Sequence, residues 1–91
     1  MSVRTVALKL IHGGNDITLR QLYILLAVAE KTSTVRALAA EMNVPKATVT
    51  RSIDRLVDLS LVRRKDDPED RRSVLAEITA AGRKLTAQVE A

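Results

Sequence analysis

Apolar side chains recur at three- and four-residue intervals along most of the chain, which is the spacing of amphipathic helices. The first such stripe predicts a helix over about residues 3–12. The next predicts a helix that Thr18 opens and that Gln21 completes as a capping box. This second helix is apolar on most of its circumference, so we expect it to be the central helix of the core. The first stripe consists of Val3, Val6, Ala7, Leu10 and Ile11.

Two further helices follow, separated by a tight turn. The pattern predicts a short helix over Val35–Met42, with Asn43 suited to a left-handed terminal residue. Pro45 can begin the next helix, which we expect to run to about Leu59. Because that helix has apolar inward positions and a polar outer face, the pair predicts a helix-turn-helix over about 35–59. The expected outward positions are Lys46, Ala47, Thr48, Thr50, Arg51, Asp54, Arg55 and Asp58.

The period then changes from helical to alternating. Two short runs of branched or long side chains flank a turn rich in Asp and Pro, which predicts a β-hairpin over about 61–78. Thr79 then caps a last helix over about 80–90. The expected fold class is therefore mainly α with a small β-hairpin: a single winged helix-turn-helix domain over residues 1–91, with about five helices and a two-stranded wing. The expected inward positions are Val74, Ala76 and Ile78 in the hairpin, and Ala81, Leu85 and Val89 in the last helix.

Composition excludes several classes of function. Cysteine is absent and His12 is the single histidine, so the chain has no disulfide, thiol nucleophile or Cys/His zinc site. Tyr23 is the one aromatic residue, which argues against a base-stacking surface for single strands. We expect no catalytic site, no metal and no cofactor. The apolar run Leu22–Ala29 is too short to cross a bilayer, and Lys9 interrupts the N-terminal apolar stretch, so we expect a cytoplasmic protein without membrane contact.

Positive charge is concentrated where a helix-turn-helix and its wing would meet DNA. The chain has 15 basic and 11 acidic residues, a net charge of +4. Eight of the basic residues lie between Lys46 and Arg72. This distribution favours double-stranded DNA as the partner. Acidic residues lie in the same stretch, so internal pairing of some arginines with Asp54, Asp58 or Asp70 stays open as an alternative.

Several segments resemble the MarR family of transcription regulators. Thr48–Arg51, Ile53–Leu56 and Leu61–Arg64 are similar to that family's recognition helix and first wing strand. Residues 67–72 are similar to its wing signature, in which Asp, one residue and Arg precede five residues, an aliphatic residue, Thr, two residues and Gly. The resemblance covers about residues 17–85. The signature positions are Asp70, Arg72, Ile78, Thr79 and Gly82.

The resemblance implies a homodimeric repressor whose recognition helix enters the major groove. It assigns Arg72 to the minor groove, with Asp70 holding its guanidinium. A narrow minor groove concentrates negative potential, which a weakly hydrated arginine is suited to fill. Two positions depart from the family, since Pro45 replaces a common Ser cap and Ser60 a common Gly. The expected DNA-binding residues are Lys46, Ala47, Thr48, Thr50, Arg51, Arg55, Arg64, Lys65, Asp70, Arg71 and Arg72.

Two further expectations concern protein partners. The apolar stripes of the terminal helices exceed what so small a domain needs for its own core, so we expect a homodimer through these helices. A second function also stays open, because a winged helix can dock on another regulatory protein, as an anti-activator does. The small and basic side chains of the recognition face favour DNA, since a protein-docking face would be more apolar.

Overall fold

A computed structural model describes residues 2–14 and 16–90, apart from the side chain of Arg71. Within this part of the chain there are five helices and three strands, which confirms the predicted fold class. None of the described helices is long and apolar enough to cross a membrane. The elements are α1 (Val3–His12), α2 (Leu19–Glu30), β1 (Ser33–Thr34), α3 (Val35–Met42), α4 (Lys46–Asp58), β2 (Val62–Asp67), β3 (Asp70–Ile78) and α5 (Ala80–Glu90).

Helix α2 begins as its sequence predicts and occupies the centre of the core. The Thr18 hydroxyl accepts a hydrogen bond from the Gln21 backbone N–H, and the Gln21 side chain accepts one from the Thr18 N–H. This reciprocal capping box satisfies two donors that a helix start leaves free. Ile24, Leu25 and Val28 are almost completely buried, so α2 is the central helix that its apolar circumference predicts.

Local residues also set the helix-turn-helix. The Thr34 hydroxyl caps α3 by accepting from the Ala37 N–H at 3.0 Å. Asn43 ends α3 in the predicted left-handed conformation, with φ 56°. Pro45 then precedes α4 with extended backbone and no side-chain cap, as expected where it replaces a Ser. The chain therefore turns between the two helices within three residues, 43–45.

Helix α4 ends in a Schellman motif that leads directly into the wing. The Leu61 N–H donates to the Leu56 carbonyl at 2.9 Å, and the Ser60 N–H donates to the Val57 carbonyl at 2.9 Å. Ser60 takes the left-handed position with φ 62°, where glycine would meet no steric penalty. Leu56 and Leu61 are both buried, so the motif joins α4 to β2 through the core.

The hairpin forms the predicted wing, but the sheet has a third strand that the sequence pattern does not show. Strands β2 and β3 pair antiparallel, and β1 pairs with the other edge of β3. Sequence reasoning identifies Ser33 and Thr34 only as a break with cap residues, because two residues are too few to show an alternating period. Since β1 joins α2 to α3, its pairing ties the helix-turn-helix to the base of the wing.

Two of the predicted inward positions are exposed. Val74 is 36% exposed, whereas Ala76 and Ile78 on the same face of β3 are buried. The hairpin extends beyond the core at Val74, so alternation there no longer corresponds to burial. In α5, Ala81 is exposed and Gly82 takes the inward position instead.

The terminal helices pack against each other, and α5 also packs against α2. Leu10, Leu85 and Val89 are 7%, 6% and 4% exposed. The expectation that the stripe of Leu85 and Val89 is available to a second copy is therefore wrong, because this chain's own core covers it. The apolar surface that α1 leaves open is formed by Val3, Leu8 and Ile11, which are 84%, 47% and 61% exposed.

Gly82 lies where α5 crosses the start of the wing. A Cβ atom at this position would lie 2.2 Å from the Leu61 carbonyl oxygen and 2.7 Å from Ile78 Cγ1. That carbonyl is held in place, since it accepts from the Thr79 N–H at 3.1 Å. The Thr79 hydroxyl in turn donates to the Ser60 carbonyl at 2.7 Å and accepts from the Gly82 N–H at 3.0 Å. Thr79 thus caps α5 as predicted, and a residue without Cβ lets the helix start this close to β2.

We predict that Gly82→Ala destabilises the fold. Helix propensity alone would stabilise it by about 1 kcal/mol, but displacing a hydrogen-bonded backbone carbonyl costs more, so we expect a net loss of about 2 kcal/mol in the free energy of unfolding. Urea denaturation measures this. Ala87→Gly, at an exposed site of the same helix, is the control and should lose about 1 kcal/mol from propensity. A gain in stability for Gly82→Ala would contradict the assigned packing.

Candidate nucleic-acid interface

The core side of α4 fixes which residues the helix presents to solvent. Val49, Ile53 and Leu56 have essentially no exposed surface, so α4 is locked against rotation about its axis. Ala47 and Arg51, one turn apart on the opposite side, are exposed. The exposed face therefore carries a small side chain, Ala47, near the start of α4 and a cation, Arg51, one turn later. The predicted contact residues Lys46, Ala47, Thr50, Arg51 and Arg55 are exposed, and Thr48 is half-buried.

A groove of about 180 Å³ separates the start of α4 from the wing. We call it the wing groove. Lys46 and Thr50, one turn apart on α4, line one side, and Arg72 of β3 lines another. Three of the predicted DNA-binding residues are thus brought together by the fold. The described residues that line it are Val35, Arg36, Lys46, Thr50, Arg72, Ser73 and Val74.

Arg36 is the residue of the wing groove that sequence reasoning missed. It lies in the first turn of α3, ten residues before Lys46, and only the packing of α3 against α4 brings the two to one groove. One weak signal is present in the sequence. A cation in the first turn of a helix opposes the helix dipole, so Arg36 is poorly placed for helix stability alone.

The outer part of the wing contains a bulge on β3. Asp66 lies opposite Val74, but Asp67 lies opposite Asp70. The three residues 71–73 of β3 therefore have no counterpart on β2. Such a bulge bends a strand and redirects its side chains, and Arg72 is at its centre.

Asp70 shapes this bulge through the backbone. Its carboxylate accepts from the Arg72 backbone N–H at 3.0 Å and from the Ser73 hydroxyl at 3.3 Å. No ion pair joins Asp70 to the Arg72 guanidinium among the described side chains. The expectation that Asp70 holds that guanidinium is corrected accordingly: in the free protein Asp70 positions the strand segment that carries Arg72.

Arg64, an expected DNA contact, is occupied within the protein. It forms an ion pair with Asp54 of α4, the internal pairing that the sequence left open as an alternative. Its neighbour Arg63 pairs with Glu77 across the hairpin at 3.3 Å. Arg64 therefore links α4 to β2, and contact with a phosphate would require it to leave Asp54.

The remaining predicted contacts lie along the outer edge of the wing. Lys65 is exposed on β2. Arg71 is the first residue of the bulge, but its side chain lies outside what the structure describes. Of the predicted cationic contacts whose side chains the structure describes, Lys46, Arg51, Arg55 and Arg72 lie on α4 or line the wing groove, Arg64 is paired internally, and Lys65 is exposed on β2.

Comparisons with known proteins agree with this geometry. A sequence model described as the MarR family matches residues 15–73. An uncharacterized HTH-type transcriptional regulator of Bacillus subtilis (strain 168), YhbI, is 35% identical over 71 residues, 77% of this chain and 46% of that protein. The crystal structure of RV1404 from Mycobacterium tuberculosis superposes with a TM-score of 0.84 at 29% identity, over 97% of this chain and 60% of that one. A MarR transcriptional regulator from Methanosarcina mazei Go1 gives a TM-score of 0.81 at 27% identity, over 93% of this chain and 60% of that one.

The chain spans between 46% and 60% of the length of these three relatives. The matched residues 15–73 nevertheless include the whole helix-turn-helix, β2 and the bulge of β3. The family resemblance and the winged-helix fold class predicted from the sequence are both confirmed. This chain belongs to the MarR family, whose members are transcription regulators and not enzymes.

Proposed function

We propose that this chain is a winged helix-turn-helix domain of a cytoplasmic repressor that binds a specific sequence in double-stranded DNA. MarR regulators bind double-stranded DNA and usually act as dimers. The observation that carries the proposal is the wing groove: the start of α4 and the arginine of the wing line one space, and none of the described residues that line it is a carboxylate. A surface of clustered cations favours duplex DNA as the ligand, because the phosphates of the backbone carry a dense negative charge.

Helix α4 fits the major groove through its N-terminal half. Ala47 presents a small side chain, which lets the helix approach the base edges closely. Arg51, one turn later on the same exposed face, can bond two acceptors of a guanine. The burial of Val49 and Ile53 holds this face in one orientation, so the contact is preorganised.

Arg72 is the proposed minor-groove residue. It sits in the β3 bulge and is exposed, with its backbone N–H fixed by Asp70. Arg72 and the start of α4 line the same groove, which supports contact of Arg72 with the minor groove next to the major groove that α4 would enter. A·T-rich sequence would favour it, since the minor groove is narrow there.

The exposed side of α1 is the proposed contact to a second copy. Val3, Leu8 and Ile11 form the open part of its apolar surface. A two-fold axis near α1 would present two α4 helices to the two halves of a palindromic operator. Val6 and Leu10 face the chain's own core and would not take part.

Docking on another regulator is less well supported than DNA binding. The large exposed apolar side chains of the described residues lie on α1, at the start of α2 and on β3. None lies on the outer face of α4, which is small, polar and cationic. The recognition face therefore has the chemistry of a DNA contact.

We predict that Arg51→Ala weakens binding to the preferred duplex more than binding to random duplex. One bidentate contact to guanine discriminates by about 1–3 kcal/mol, so the difference should be roughly fivefold or more. Fluorescence anisotropy with a duplex selected by the wild-type chain from a random library measures both affinities. Arg83→Ala, at an exposed site on α5, is the matched control and should change neither. Equal loss on both duplexes would make Arg51 a phosphate contact.

We predict that Asp70→Ala weakens DNA binding even though it removes a negative charge. The variant loses the acceptor that fixes the Arg72 backbone, worth about 1 kcal/mol or fivefold in affinity. Asp70→Asn separates geometry from charge, because it keeps an acceptor oxygen and should bind at least as tightly as the wild type. Tighter binding by both variants would show that charge alone matters at this position.

We predict that Ile11→Asp abolishes the homodimer and leaves the fold intact, because Ile11 is 61% exposed. A buried charge at a dimer contact is strongly unfavourable, whereas an exposed one is tolerated. Sedimentation equilibrium at micromolar concentration measures the mass, and circular dichroism checks the fold. Ala87→Asp on the exposed side of α5 is the control. Loss of the dimer in Ala87→Asp alone would move the interface from α1 to α5.

A further inference from the structure

We propose that the wing groove holds one backbone phosphate of duplex DNA, and that Arg36 of α3 is the residue that positions it. This inference rests on the proposed DNA-binding function and adds to it a contact from the first helix of the helix-turn-helix. Lys46 and the Thr50 hydroxyl complete the groove on the α4 side.

The charge distribution singles out this groove. Arg36, Lys46 and Arg72 come from three different elements and line one space. Among the described residues that line it there is no carboxylate, and Asp70 beside it is bonded to the Arg72 backbone N–H and the Ser73 hydroxyl. Within the described residues none of the three takes part in an ion pair. Arg63 and Arg64 on the adjacent strand do have internal partners. The two arginines of β2 thus have carboxylate partners within the protein, whereas the cations of the wing groove are available to an external anion.

The helix ends add to the positive potential of the groove. Arg36 lies in the first turn of α3 and Lys46 in the first turn of α4, and neither first turn contains an acidic residue. Cations at these positions oppose the helix dipoles, at a cost of about 0.3–1 kcal/mol each. They also repel one another across the groove. A bound anion would interact favourably with both helix dipoles and would offset the repulsion between the cations. The arrangement is therefore unfavourable in the free protein and favourable for anion binding.

The geometry of duplex DNA identifies the anion. The major and minor grooves are separated by a single sugar–phosphate backbone. If α4 enters the major groove and Arg72 the adjacent minor groove, that backbone must pass between them, where the wing groove lies. An arginine guanidinium can donate two parallel hydrogen bonds to phosphate oxygens. A phosphate held by α3, α4 and the wing would fix the register of both reading elements at once.

The test measures how the affinity of Arg36→Ala depends on salt. A single lost phosphate contact should reduce the slope of log affinity against log salt by up to about 0.9 per protomer. Affinity should fall roughly tenfold, because a charged hydrogen bond is lost, and equally on the selected and random duplexes, since phosphates carry no sequence information. Arg20→Ala, at an exposed site on α2, is the matched control and should leave the slope unchanged.

A double variant tests whether Arg36 and Lys46 share one phosphate. If they do, Arg36→Ala with Lys46→Ala should lose about 0.9 of slope per protomer in total, whereas two separate phosphates would give about 1.8. Thermal melting is an independent readout. Removing a cation from the first turn of α3 should keep or raise the melting temperature, so weaker DNA binding cannot be ascribed to unfolding.

The outcomes separate this inference from the proposed function. Failure of the wild-type chain to bind any duplex would overturn both. Binding by the wild type, with Arg36→Ala indistinguishable from Arg20→Ala, would overturn the phosphate site alone. A loss of 1.8 in the double variant would overturn the shared site.

Discussion

The backbone of Leu61 is the point on which the geometry of the interface depends. Its N–H closes the Schellman motif that ends α4, and its carbonyl accepts from Thr79 at the start of α5. Gly82 permits the close approach that this second contact requires. One residue thus joins the recognition helix, the first wing strand and the last helix. The end of α4 and the start of the wing are therefore held to α5 at this point.

The distribution of charge matters more for this protein than its amount. A net charge of +4 favours a polyanion but does not say where it binds. The pairs Asp54–Arg64 and Arg63–Glu77 are partly exposed, and such pairs contribute little to stability. Their effect is geometric: Asp54–Arg64 joins α4 to β2, and Arg63–Glu77 joins β2 to β3. The carboxylates of these pairs therefore neutralise Arg63 and Arg64 and not the cations of the wing groove, although they lower the net charge of the protein.

Local signals account for what the sequence predicted well. The capping box at Thr18 and the left-handed residue at Asn43 depend on side chains within a few positions, so they could be read directly. Strand β1 could not, because two residues show no period and its pairing is with β3, about forty residues later. The sequence did not indicate Arg36 for a related reason, since its proposed contact with a phosphate depends on the packing of α3 beside α4. Asp70 was identified through the resemblance, but its partner was not, because the β3 bulge decides whether it meets the backbone or the guanidinium.

The burial of Leu85 and Val89 also limits how two copies could be arranged on DNA. An apolar stripe in the sequence does not show whether a helix packs on the core of its own chain or on a second chain. With the α5 stripe used internally, the open apolar surface of the terminal helices is the outer side of α1. Recognition helices that read successive major grooves lie about 34 Å apart, so each α4 must lie about 17 Å from the two-fold axis. This distance is less than half of the longest dimension of the protein, 39 Å, so one copy is large enough to reach from α4 to the axis. With the axis at α1, the spacing of the two half-sites would follow from the distance between α1 and α4 within each copy.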